Sequence, residues 1–391
     1  MTSSQPAAGQ PASGTTKPAT IKQLETGPSR LLSSRLAAAA GLVVLVAVIG
    51  VFPLVFTNAT VTNFAVITLI FVAVVSAWNL FSGFSGYLSL GHAVFYGTGA
   101  YFLVVAAKDW NITGSAVFWL LPLAGLVAAV IAVPLGLVAL RVRRHTFVVI
   151  TIAYFFIAQL AASNLNVTGG SSGLLPPVPN YAASTFNNPF YYVAMLIAAI
   201  AVALAWLIRR SRFGLQLRAI RDDEDRAAGL GVRAMPVKLS ALVLSAFITG
   251  MAGALWVYFI GEAFPQFVFD PLFDLAVVLM GFFGGLGTVA GPVLGAIVLE
   301  PTQQWLYLQE TNGYSAEILF GALFLVVILF LPRGVLPTGA EYLTSIRARI
   351  ARRRRQEGGP PVSVPEPGSQ SSAASPPSAP SQPSATAGGT P

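Results

Sequence analysis

RFGLQLRAIRDDEDRAAGLG, residues 212–231, is a cluster of charge in an oily chain. Only 10% of the 391 residues are charged and 55% are hydrophobic, yet ten of the eighteen residues from Arg209 to Arg226 carry charge. Apolar runs at 190–208 and 237–260 flank it, each close to the length of about 20 residues that crosses a bilayer. Mean hydropathy is +0.71, whereas soluble domains are about a quarter charged. The chain reads as an all-α, polytopic membrane bundle, which excludes soluble, fibrous and nucleic-acid-binding classes. The net charge of +8 does not restore the last of these, because it sits in a few loops. There is no cysteine and there are two histidines, so disulfides, thiol chemistry and Cys-based metal sites are excluded and no metal site is expected.

Working outward, spans are predicted at 37–56, 62–82, 87–107, 117–140, 146–163, 190–208, 237–260, 272–299 and 315–331, about eight to ten crossings in all. Lys17, Lys22, Arg30 and Arg35 precede the first span, and Arg141, Arg143 and Arg144 follow the fourth. The 209–238 loop adds eight more cations, and seven arginines follow the last span. Placing these segments in the cytoplasm satisfies the positive-inside rule, with both termini inside. Parity then requires 272–299 to enter and return, as a re-entrant or split segment. As one helix its 28 residues would run about 42 Å, too long for a core of about 30 Å. The bend is expected at GGLG (284–287), at membrane depth, near the pathway or deep in the helix bundle, with Gly287, Gly291 and Gly295 forming a close-packing ridge. The loop 300–314 is expected outside.

Three domains follow. Residues 1–30 form a disordered cytoplasmic arm, and 36–340 the transmembrane domain, with a cytoplasmic loop at 209–236. Residues 341–391 hold a basic juxtamembrane segment, RARIARRRR (347–355), that meets anionic lipid, and a disordered Pro/Ser/Ala tail.

A second unusual stretch is SAWNLFSGFSGYLSLGHAVFYGTGAY, 76–101. Asn79, Ser82, Ser85, Ser89, His92 and Tyr96 recur at spacings of 3 and 4, one face of a helix. That face is expected to point inward, to other helices or to a wet path, with a break near Gly83–Gly86. His92 reads either as a buried structural histidine or as a pathway residue. Asp274 and Glu317 sit at span edges, so a proton relay is poorly supplied. GFSGYL (83–88) is echoed by GFFGGL (281–286), a weak internal similarity.

The loop 164–189 carries no charge and falls outside. Its TGGSSG suits either backbone N–H capture of a carboxylate or a plain turn. Inside, the 212–231 stretch reads as a short amphipathic helix. Asp222 is its expected N-cap, acids fill its first turn, and Gly229 and Gly231 end it. Topology needs only the cations. The acids and the small AAGLG surface point to a docking helix for a cytoplasmic partner. No phosphate-loop motif is present, so any ATPase is another chain.

With these motifs in place, a family resemblance is evident. GFSGYLSLGHAVFYGTGAY (83–101), TGGSSGL (168–174), RFGLQLRAIRDDEDRAAGLGV (212–232) with KLSALVLSAFITGMAGALW (238–256), GGLGTVAGPVLGA (284–296) and LFLPRGV (329–335) occur in the order seen in branched-chain amino acid ABC permeases of the LivM type. The resemblance covers about residues 40 to 340. It implies a non-catalytic subunit in a bacterial plasma membrane. Its partners would be an H-type (LivH) permease, two ABC ATPase subunits that bind ATP and Mg, and an external solute-binding protein. It assigns coupling to Arg218, Ile220, Arg221, Asp222, Asp223, Glu224, Ala227, Ala228 and Gly231. Asn79, Gly86, Ser89, Leu90, Gly91, His92, Gly284, Gly285 and Gly287 become pathway or gating candidates, and Gly169, Gly170 and Gly173 a docking surface or lid. The implied cargo is a branched-chain or other apolar amino acid. Urea, short amides or another small polar solute fit the same architecture, and an ion-coupled secondary transporter is the rival class.

Overall fold

The computed structural model describes residues 50–56, 58–179, 181–182, 185–309 and scattered positions from 318 to 338. The arm at 1–30, the start of the first span, Glu317 and everything from residue 339 onward lie outside the described residues. Residues 50–55 are helical. Eleven labelled helices follow among the described residues: α1 Ala59–Trp78, α2 His92–Asp109, α3 Leu121–Ala139, α4 Arg144–Asn164, α5 Asn187–Arg210, α6 Arg212–Asp222, α7 Glu224–Gly229, α8 Ala234–Ile260, α9 Pro265–Val268, α10 Pro271–Gly284 and α11 Ala290–Gln309. A π-helical turn, Asn79–Gly83, extends α1, and a 3₁₀ segment, Gly114–Leu120, leads into α3.

Among the described residues, six helical stretches are long and apolar enough to cross a membrane: Ala59–Gly83, Gly114–Ala139, Arg144–Asn164, Asn187–Arg210, Ala234–Ile260 and Pro265–Gly284. The apolar windows of the first and fifth are 72% buried, whereas that of Arg144–Asn164 is 22% buried. So α1 and α8 form the centre and α4 lies at the edge, with Val149, Ile157 and Leu160 exposed. The Gly- and Tyr-containing α2 is not among the six, yet most of it is buried, chiefly against α8 and α3. An inner helix need not be uniformly apolar, because its neighbours replace lipid.

Lipid offers no hydrophobic gain for helix association, so close backbone contact through small residues takes over. A Cβ on Gly253 would overlap the Tyr96 backbone, one on Gly99 the Gly250 backbone, and one on Gly125 would meet the Phe247 carbonyl at 2.6 Å. These glycines let α2 and α3 lie directly on α8.

The bundle has two distinct ends. At one, Asn187 Nδ2 donates to the Ala59 carbonyl, Tyr258 Oη to the Gly114 carbonyl at 2.9 Å, and Leu174 pairs with Ala263 in an antiparallel bridge. At the other lie Arg144, Arg209, Arg210, α6, α7 and Lys238, the basic end. The expected split of 272–299 is present, as two antiparallel helices. Gly284 lies against Gly291, and Gly295 against Met280, with each missing Cβ replaced by partner backbone. The limbs span about 21 Å and about 30 Å at 1.5 Å per residue.

Three expectations are corrected here. The GGLG bend lies at the basic end, not at membrane depth. Gly287 belongs to the bend, at φ +75°, so only Gly291 and Gly295 form the ridge. Residues 300–309 are not a loop, because α11 runs on through Pro301 to Gln309. The chain then returns to the basic end, where Gly334 lies against the Gly285 backbone.

Candidate functional site

The charged stretch folds as two helices, not one. Ser211 caps α6 by accepting from Gly214 N–H at 3.2 Å, and α6 stops at Asp222. Asp223, not Asp222, is the N-cap of α7, accepting from Arg226 N–H at 3.0 Å. The extended backbone of Asp223 sets the two helices at an angle. Gly231, at φ +87°, provides the left-handed turn after α7.

This division sorts the coupling candidates by face. Ile220 and Ala227 are buried against the bundle. Arg218 is half-buried and donates to the Gly214 and Arg209 carbonyls. Asp222, Ala228 and Gly231 are exposed. Leu230, which sequence reasoning missed, is 85% exposed. Its only signal was a large apolar side chain among small ones in AAGLG.

Arg221 and Glu224 point inward. The Arg221 guanidinium donates to the Gly83 carbonyl at 2.6 Å. It also lies against Gly287, and its stem lies on Gly86, where φ is +74°. Glu224 pairs with Lys238 at 2.6 Å, a lysine buried at the start of α8. Tyr87 Oη donates to the same carboxylate and accepts from Lys238 Nζ at 3.1 Å. Burial alone would raise the Glu224 carboxyl, but the hydrogen bonds from Lys238 and Tyr87 outweigh it and hold the group below its ordinary range. Arg144, at the start of α4, donates to the Ile220 and Arg221 carbonyls at 2.6 and 2.7 Å, satisfying the C-terminus of α6.

The polar run of 79–96 does not form one helix face. The helix breaks after Gly83–Ser85, an extended segment runs to Gly91, and α2 starts at His92. All six polar residues are buried, and most serve the broken backbone. Ser82 Oγ accepts from Ser89 N–H, Ser85 Oγ from Tyr87 N–H, and Thr151 Oγ1 from Leu90 N–H. Trp78 Nε1 donates to the Ser89 carbonyl at 2.9 Å. His92 sits between Ser89 Oγ at 3.0 Å and Ser245 Oγ at 2.8 Å, and Ser245 donates onward to the Ala77 carbonyl. His92 thereby cross-links α1, α2 and α8. Gly91 lies on the Thr151 backbone of α4.

Asn79 reaches across the bundle. Its Oδ1 accepts from Gly287 N–H at 2.8 Å and its Nδ2 donates to the Thr288 carbonyl at 2.8 Å. The break at Gly83–Gly86 and the bend at Gly284–Gly287 are therefore joined directly through Asn79 and again through Arg221. The two similar motifs, GFSGYL and GFFGGL, are the two helix breaks at the basic end. Of the pathway candidates, Asn79, Gly86 and Gly287 meet at this junction and Gly284 and Gly285 adjoin it. Ser89, Leu90, Gly91 and His92 lie deeper.

At the opposite end, Gly169, Gly170 and Gly173 all have positive φ. Their N–H groups donate to the Asn166, Leu165 and Gly170 carbonyls. These three donors are spent on the turn itself. Val167, Leu175 and Val178 are exposed apolar residues on this loop.

The family described as branched-chain amino acid transport system / permease component matches residues 60–328. The high-affinity branched-chain amino acid transport system permease protein LivM of Escherichia coli K12 is 29% identical over 326 residues, covering 76% of this chain and 74% of that protein. LivM of Salmonella typhimurium is 29% identical over 305 residues, covering 70% and 69%. LivH of Salmonella typhimurium is 25% identical over 279 residues, covering 66% and 88%. No solved structure matches the chain.

Proposed function

Because this chain belongs to the branched-chain amino acid transport system permease family and is a membrane-spanning permease subunit of an ABC importer, we propose that its cargo is a branched-chain or other apolar amino acid. It works beside a second, LivH-type permease. Separate ATPase subunits bind and hydrolyse ATP, and this chain carries out no chemistry. An external solute-binding protein docks on the end opposite the basic one, where Val167, Leu175 and Val178 of the uncharged loop offer apolar contacts. The basic end faces the cytoplasm by the positive-inside rule.

One observation carries the coupling mechanism: the inward residues of α6 and α7 hold both helix breaks at once. The exposed face of α7, with Ala228, Leu230 and Gly231, meets the ATPase. Displacement of α7 pulls on Arg221 and Glu224. Arg221 is bonded to Gly83 and lies against Gly287, and Glu224 is bonded to Tyr87 and Lys238. Movement at the ATPase therefore reaches α1, α2, α8 and the α10–α11 hairpin without passing through a flexible segment. The glycines of both breaks are where the backbone accommodates the change. The result is alternating access, in which the helices rearrange around the cargo and ATP energy sets the direction.

The test is uptake of labelled leucine by proteoliposomes containing the complete importer. Uptake that requires both ATP and the binding protein supports the reading. ATP-independent uptake driven by an ion gradient would replace it with a secondary transporter.

A further inference from the structure

We propose that the segment 263–274, which leads from α8 into α10, relays docking of the binding protein to the start of α2, with Tyr101 and Asp274 as its positioning residues. This rests on the reading that the binding protein docks at the end opposite the basic one, on the uncharged loop. A single oxygen joins that loop to α2. The Ala263 carbonyl accepts from Leu174 N–H of the loop at 3.1 Å and from the Tyr101 hydroxyl of α2 at 3.0 Å. A carbonyl oxygen has two lone pairs, so it holds both donors at once. Ala263 is buried, and its own N–H returns to the Leu174 carbonyl at 2.9 Å. A shift of the loop at Leu174 therefore acts on the same oxygen that Tyr101 holds.

From there the segment is fastened along its length. The Phe269 ring stacks on that of Tyr101, centroids 6.0 Å apart, and lies against Gly97. The Phe269 carbonyl accepts from Gln159 Nε2 of α4 at 2.9 Å. The Phe273 ring meets that of Tyr96 at 4.4 Å. Pro265, Val268 and Phe269 are buried. Close-packed side chains transmit a displacement rather than absorb it.

The inner end is Asp274. Expected at a span edge, it is instead 3% exposed and reaches the start of α2. That start lies deep in the bundle, since the adjoining His92 bonds Ser245 near the middle of α8. The cap residue of α2 is Gly91, which has no side chain to offer the first-turn N–H groups. Asp274 Oδ1 supplies the acceptor from another helix, taking Ala93 N–H at 3.1 Å. Asp274 also lies in the first turn of α10. Two helix N-termini thus converge on one carboxylate, and each favours its charge. The segment holds α2 at Ala93 and at Tyr101, and the start of α2 adjoins the break whose Gly83 carbonyl Arg221 holds.

Tyr101→Phe keeps the ring and removes the hydroxyl. Asp274→Ala removes the acceptor for Ala93 N–H, and Asp274→Asn keeps one. The measurement is ATP hydrolysis by the complete importer in proteoliposomes, with and without leucine-loaded binding protein. Tyr101→Phe and Asp274→Ala are each expected to reduce the stimulation about fivefold, the scale of one lost hydrogen bond. Hydrolysis without the binding protein and the affinity for it should stay at the wild-type level, and Asp274→Asn should restore most of the stimulation. If Asp274→Ala does not assemble, Tyr101→Phe decides alone. Wild-type stimulation in either variant that assembles would overturn the relay and leave the docking reading intact. An equal loss of hydrolysis with and without the binding protein would make the role merely structural and also overturn it. Wild-type importer that the binding protein does not stimulate would overturn the docking reading and the relay with it.

Discussion

Arg221 and Gly83, 138 positions apart in the chain, are joined by a 2.6 Å hydrogen bond from guanidinium to carbonyl. The bond ties the C-terminal turn of α6 to the end of the π-helical turn that finishes α1. Because the same guanidinium lies against Gly287, one side chain from the charged stretch contacts both interruptions in the membrane helices. Arginine suits this position, since its planar fork presents several donors in fixed directions and keeps its charge. A lysine offers a single point of attachment.

The outward face of α7 is separable from this junction. Leu230 is 85% exposed and Ala228 is exposed, so neither holds the fold. Leu230→Asp and Ala228→Trp are expected to change stability by no more than about 0.5 kcal/mol. Both should abolish co-purification of the ATPase subunits. Normal ATPase recovery from both variants would remove this face from the docking surface.

The Asn79 bridge supports stability as well as coupling. Asn79→Ala leaves Gly287 N–H and the Thr288 carbonyl without their partner in a part-buried setting. Each lost partner costs about 1–3 kcal/mol. A clear drop in the unfolding temperature of the detergent-purified protein is expected. Asn79→Asp should recover part of it, because a carboxylate still accepts from Gly287 N–H but cannot donate to Thr288. Equal melting of all three proteins would show that the bend does not depend on Asn79.

The Glu224–Lys238–Tyr87 cluster makes a pH prediction. The folded protein holds the Glu224 carboxyl below its ordinary value of 4.5. A depressed acid contributes its stability in full above the unfolded value and loses it as pH falls through the folded value. The stability difference between wild type and Glu224→Gln should therefore be constant from pH 7 to about pH 5 and shrink below pH 4.5. Thermal melts across that range measure it. A difference that grows on acidification would reverse the assigned sign.

The outline of the bundle was legible because hydrophobic runs and loop arginines are strong local signals. The split at GGLG followed from length and parity alone. Finer features were not legible, and the reasons differ. The N-cap register slipped by one residue, from Asp223 to Asp222, because four consecutive acids offer equivalent caps. The polar series from Asn79 to Tyr96 has helical spacing, but the chain breaks within it, and spacing carries no record of a break. Its serines serve the exposed backbone of that break, which pattern reasoning took for an inward face. Glu300 was assigned to a loop because the apolar run ends at 299, yet the helix continues through Pro301. The Asn79–Gly287 contact spans 208 positions and leaves no trace in either segment. The echo between GFSGYL and GFFGGL was the one hint that the two breaks belong together.

The measurement that tests the account most directly is the number of leucine molecules transported per ATP hydrolysed in Arg221→Ala, in proteoliposomes with the binding protein inside the assay. The account predicts that the variant assembles with its ATPase subunits and hydrolyses ATP, while leucine moved per ATP falls at least tenfold, with Arg221→Lys between the two. An unchanged ratio in Arg221→Ala would contradict it, because the helix breaks would then move with the ATPase without the bond that joins them.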